Sequence, residues 1–138
     1  MFGPDRNLPL FPALTKHVIL PEGHAWSIST SFDADFEVAI IIYDAVTMRA
    51  VHTFGNHSRS NPGSSGPALG PVRGDWNLLL TGWHKNSKPK VNKPWFQSRS
   101  RLRKMGTTGI RFSIDDGFND GDFNDGILTL TEMPVQIL

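Results

Sequence analysis

The chain has 138 residues, a net charge of +1, 38% hydrophobic and 10% aromatic content, and no cysteine. That length and composition fit one globular domain spanning residues 1–138 and argue against a disordered chain. They also exclude disulfides, thiolate metal sites and a membrane-spanning run of about 18 apolar residues.

Residues 1–16 are proline-rich and aperiodic, and read as an irregular N-terminal arm. The opening Met1-Phe2-Gly3-Pro4-Asp5-Arg6 has no basic stretch leading into an apolar one, so no Sec signal is expected. The expected location is the cytoplasm, or outside the cell by another export route. His17-Val18-Ile19-Leu20-Pro21 is a short strand stopped by proline. Trp26, Ile28 and Thr30 alternate with Ser27, Ser29 and Ser31, which predicts a half-buried strand with Trp26 inward. Phe32-Asp33-Ala34-Asp35 makes a polar tip. Phe36-Glu37-Val38-Ala39-Ile40-Ile41-Ile42-Tyr43 is β-branched throughout its centre and predicts a strand covered on both faces.

Asp44-Ala45 turns into a strand over 48–54, a hairpin with the one before. A long surface loop rich in Gly, Pro and Ser covers 55–70, and 74–83 reads as another strand. The basic segment 85–104 follows, with Lys85, Lys88, Lys90, Lys93, Arg99, Arg101, Arg103 and Lys104. It reads as a solvated connection rather than a dedicated anion surface, and no nucleic-acid motif accompanies it, so no nucleic-acid partner is expected. Residues 98–102 suggest a charged edge strand. Trp83, between Gly82 and His84, is the best candidate for an exposed ring, and the five histidines read as scattered surface or turn residues without metal spacing. No helical period persists. About nine short strands with Gly/Pro turns predict an all-β, antiparallel β-sandwich.

Between the last two predicted strands lies Asp115-Asp116-Gly117-Phe118-Asn119-Asp120-Gly121-Asp122-Phe123-Asn124-Asp125-Gly126, with five aspartates and two asparagines in twelve positions. Carboxylates a few ångströms apart repel by roughly 1–4 kcal/mol per pair. A hard cation such as Ca²⁺, which takes six to eight oxygen ligands, removes that cost. The loop is not an EF-hand: Asp125 stands where that motif needs glycine, Thr131 where it needs glutamate, and strands flank it instead of helices. Dense paired carboxylates could serve acid–base catalysis, but no nucleophile elbow, phosphate loop or dinucleotide fingerprint is present, and a non-enzyme is expected.

The acidic loop resembles that of the small bacterial two-calcium lectins that bind fucose and mannose. Asp115-Asp116-Gly117 stands for the family's Glu-Asp-Gly opening, and Asp120-Gly121-Asp122-Phe123-Asn124-Asp125 for its Asp-x-Asp-aromatic-Asn-Asp, with one extra residue between them. Upstream, Leu20-Pro21 followed by Trp26 keeps the spacing of an early family strand, which places Asp33 at a ligand position. The middle of the chain and its end depart from the family: Pro134-Val135-Gln136-Ile137-Leu138 replaces a terminal glycine that reaches a neighbouring subunit's calcium.

The resemblance implies two Ca²⁺ ions. Asp115, Asp120, Asp122 and Asp125 would hold one, and Asp33, Asp122, Asn124 and Asp125 the other. Asp116 would accept a sugar hydroxyl, and Ala34, Asp35 and Phe36 would tune sugar preference. It further implies a calcium-dependent lectin for fucose- or mannose-type glycans, working as a homo-oligomer. Two alternatives stay open on the residues alone: a calcium-dependent membrane-binding sandwich, and a calcium-stabilised interaction domain without a small ligand.

Overall fold

The computed structural model describes residues 10–33, 37–55, 69–71, 73–85, 94–106, 108–115 and 125–133. Among them are nine strands: β1 (Lys16–Leu20), β2 (Ala25–Phe32), β3 (Val38–Asp44), β4 (Ala50–Gly55), β5 (Trp76–His84), β6 (Phe96–Gln97), β7 (Ser100–Met105), β8 (Gly109–Ile114) and β9 (Gly126–Met133). Their pairings are all antiparallel. One sheet runs β1-β5-β3-β4, with β6 also on β5; the other runs β2-β9-β8-β7. The expected β-sandwich is what forms. The described residues include no helix long and apolar enough to cross a membrane.

Strand periodicity explains the core. Trp26 and Ile28 of β2, Phe112 and Ile114 of β8, and Leu128 and Leu130 of β9 turn inward onto Val18, Leu20, Ile40, Ile42, Leu78 and Leu80 of the facing sheet. Each such side chain stabilises the fold by about 1.5–3 kcal/mol. The alternate residues of β3, Ala39, Ile41 and Tyr43, join Trp83 in a second apolar cluster with Leu10, Leu79 and Trp95 packed against it. β3 is therefore covered on both faces, as its unbroken β-branched run predicts.

That second cluster corrects two expectations. Trp83 is 2% exposed rather than a free ring, and its indole N–H donates to Thr81 Oγ1 at 2.8 Å. His84 is buried as well, because β5 extends through it and the short β6 closes along its edge; Nδ1 lies 2.7 Å from Ser98 Oγ. The N-terminal arm is more regular than its composition suggests. Pro12–Leu14 form a 3-10 turn, β1 already begins at Lys16, and Gln97 fastens the arm by accepting from the Phe11 amide and donating to Thr15 Oγ1, both at 2.8 Å. The described end of the 55–70 loop is also tied in: Leu69 and Trp26 exchange backbone hydrogen bonds of 2.7 and 2.8 Å.

Candidate functional site

Three of the expected ligand residues are described, and strand pairing brings all three to one end of the sandwich. Asp33 follows β2, Asp115 follows β8 and Asp125 precedes β9. β9 is the common neighbour, since Gly126 is paired with Phe32 on one side and Ile114 on the other. Each acid sits one step beyond those partners. The Asp33 amide donates to the Asp125 carbonyl at 3.1 Å, extending the ladder past its last paired residues. The Asp115 amide donates to the Arg99 carbonyl at 3.1 Å, which anchors the loop's first residue to the chain entering β7.

Burial separates the three. Asp115 and Asp125 are 0% and 5% exposed, whereas Asp33 is on the surface. Carboxylates are rarely so buried without compensation, because desolvation penalises the charged form. The side-chain donors placed at this end are all oxygen, the chemistry a hard divalent cation takes. Among the described residues no group of three acidic or histidine side chains stands ready-made at coordinating distance. Asp120, Asp122 and Asn124, expected to complete the set, lie outside the described residues, as do Asp116, Ala34, Asp35 and Phe36.

The two sheets pack closely at this end. A Cβ on Gly82 of β5 would stand 2.1 Å from Ile114 Cγ2, and one on Gly126 would stand 3.0 Å from Ile114 Cγ1 and 3.2 Å from Phe32 Cδ1. Glycine at both positions lets Ile114 wedge between the sheets immediately before Asp115. On the other sheet, the connection from Asp33 re-enters at Glu37. Its carbonyl accepts from the Lys85 amide at 2.9 Å, and its carboxylate lies 3.1 Å from Lys85 Nζ, which sits 5.0 Å from the Trp95 ring centre. Arg99, Lys85 and Glu37 were not foreseen as parts of this end. Nothing in their spacing signals it, since β6 is too short to show a period.

An apolar hollow of about 270 Å³, lined by Leu10, Pro12, Thr15, Met48 and Leu79, lies on the outer face of the other sheet and does not coincide with the acidic end.

This architecture is the β-sandwich fold of small bacterial lectins. The chain is similar to the C-terminal domain of the lectin BC2L-C from Burkholderia cenocepacia, with a TM-score of 0.59 at 20% identity. It is similar too to the Chromobacterium violaceum lectin CV2L in complex with α-methyl-fucoside, TM-score 0.59 at 15% identity. A third neighbour is the high-affinity mannose-binding lectin of Ralstonia solanacearum, TM-score 0.56 at 18% identity. Each match covers 87% of this chain and 96% of the other. No protein-family model and no curated protein matches the sequence. At these identities the likeness establishes the fold.

Proposed function

We propose that the protein is a calcium-dependent lectin, not an enzyme, which binds fucose- or mannose-type sugars at the acidic end of the sandwich. The observation that carries this reading is the placement of Asp33, Asp115 and Asp125, from three separate chain segments, at the same end of neighbouring strands on a fold shared with sugar-binding lectins. Asp115 and Asp125, with Asp120 and Asp122, would hold one Ca²⁺; Asp33 and Asn124, with Asp122 and Asp125, a second. The ions would supply open coordination positions for a vicinal pair of sugar hydroxyls. The chain's own part is to fix its carboxylates on paired strands and to let Asp116 accept a charge-assisted hydrogen bond from the sugar. Ala34, Asp35 and Phe36, joined to Asp33 and Glu37, would border the sugar and set preference. Assembly into an oligomer would turn weak single sites into avid binding.

The test is capture on immobilised mannose and fucose. Retention is expected with Ca²⁺, loss with chelator and recovery on recalcification. Asp125→Ala should abolish retention and lower the bound calcium measured by elemental analysis. A wild-type protein that holds no calcium in millimolar Ca²⁺ refutes the reading. Calcium-dependent capture by anionic vesicles with sugar beads untouched would replace it with membrane binding. Calcium that raises Tm with neither surface captured would leave a stabilised interaction domain.

A further inference from the structure

The outward face of the β2-β9-β8-β7 sheet carries chemistry that the acidic end does not use. Ile28, Phe112, Leu128 and Leu130 point into the core, so their odd-numbered neighbours point the other way. The register then lines up Ser29, Thr129, Arg111 and Arg103 in one row across all four strands. Four strands about 4.8 Å apart make that row roughly 14 Å long. Ser29, Arg111 and Arg103 are exposed. The neighbouring rows are Ser27, Thr131, Gly109 and Met105 on one side and Ser31, Ile127, Ser113 and Arg101 on the other. The only acidic residue within these four strands is Glu132, which shares the inward parity of Leu128 and Leu130 and pairs with His24. Asp33, Asp115 and Asp125 lie past the strand ends, beyond the Arg101 row.

Arg103 stands directly opposite Arg111. Like charges in that position are destabilising, and Cβ atoms about 5 Å apart put both guanidinium groups within reach of one tetrahedral anion. We propose that this face binds an acidic polysaccharide, with Arg103 and Arg111 taking its sulfate or phosphate groups and Ser29 and Thr129 its hydroxyls. The two chemistries on the face match the two on such a chain. A guanidinium pairs with an oxyanion through a planar fork. A serine or threonine hydroxyl both donates and accepts, as a sugar hydroxyl does. A bilayer fits less well, since each basic residue near an anionic surface adds only about 1 kcal/mol and the Ser29-to-Arg103 row itself has no apolar side chain to insert, the exposed Met105 standing alone at the end of the neighbouring row. Nucleic acid fits less well too, since none of the outward positions of these four strands is an aromatic on which a base could stack.

Immobilised heparin is the probe, in calcium buffer with excess free methyl mannoside and methyl fucoside to occupy the site proposed above. Its outcome is thereby separate from that of the lectin reading. The full chain should be retained at low salt and eluted by raising it. Arg103→Ser with Arg111→Ser should weaken binding about tenfold or more without lowering Tm, because it also removes a repulsion. Arg49→Ser with Arg73→Ser changes the charge equally at exposed positions outside this sheet and should leave retention near wild type. Arg111→Lys, which keeps the charge and loses the fork, should fall between and guards against a double variant that fails to fold. An unretained wild type, equal losses in the two double variants, or an unaffected Arg103/Arg111 pair overturns the proposal. So does more effective displacement by phosphatidylserine vesicles or duplex DNA, which would assign the face to lipid or nucleic acid.

Discussion

Gly82→Ala tests whether the two sheets meet as closely beside the acidic end as the structure requires. The new methyl group would fall 2.1 Å from Ile114 Cγ2 and 2.9 Å from Ile114 Cβ. No rotamer of Ile114 moves its own Cβ, so backbone or sheet spacing has to give. Ile114 is 0% exposed, so it has no solvent side to retreat to. Overpacking of this kind costs about 1–3 kcal/mol. An unfolding entropy of about 2.1 cal/mol/K per residue over a chain of this size turns that into a Tm loss of roughly 3–10 °C. Thermal melts by circular dichroism and calorimetry measure it. Because Asp115 directly follows Ile114, calcium affinity in the proposed site should fall along with Tm. Ile114→Ala removes Cγ2 and leaves a cavity, at about 2–5 kcal/mol alone. When Gly82→Ala and Ile114→Ala are combined the two defects partly cancel, so the joint cost should be less than the sum by about 1 kcal/mol or more. An unchanged Tm in Gly82→Ala, or strict additivity in the double variant, refutes the wedge.

Thr81→Val keeps shape but removes a hydroxyl that is 0% exposed, donates to the Ile41 carbonyl at 3.0 Å and accepts from Trp83. Leaving that buried indole N–H unpaired should cost about 1–3 kcal/mol in urea unfolding, and a neutral result would count against the bond. Lys85→Ala strips a mostly buried partner from Glu37 and should destabilise by about 3 kcal/mol, with Lys85→Ala/Glu37→Gln recovering part of the loss. Asp44 tests pH linkage. The Thr47 amide, then the Trp76 indole and the Val46 amide, hold its carboxyl below the ordinary value of 3.8. A lowered folded-state pKa gives stability that is full above 3.8 and is lost as pH falls through the lowered value. The Tm gap between wild type and Asp44→Asn should therefore be flat near neutrality and narrow below pH 3.8, whereas a gap independent of pH would refute the linkage.

Much of the fold is legible in the chain because its strands have one wet face or none. The alternation through Trp26, Ile28 and Thr30 reports β2 correctly, and the continuous run over 38–43 reports a strand buried on both sides. Legibility fails where tertiary context overrides local pattern. Trp83 looks exposed beside Gly82 and His84, yet Gly82 is small because Ile114 fills its space, and Trp83 and His84 are covered by elements distant in sequence. β6 has two residues, too few to carry any period. At the candidate site, the sequence pairs Asp33 with the acidic loop only through the resemblance to lectins. The register supplies the physical reason, since β9 lies between the strands that deliver Asp33 and Asp115.

That arrangement ties any ion held there to strand pairing. Shifting β9 by one residue would exchange its core and solvent faces, placing Thr129 and Thr131 where Leu128 and Leu130 belong. The core therefore forbids the slip that would part Asp125 from Asp33 and Asp115. If the proposed ion is held there, its affinity should therefore depend on the register that sets Asp33, Asp115 and Asp125 at one end. The same hydrophobic alternation fixes the opposite face of the sheet, where it sets Arg103 against Arg111 in a row with Ser29 and Thr129. One pattern of inward residues thus determines two chemically distinct regions, an acidic cluster at the strand ends and a basic, hydroxyl-bearing row along their outward face.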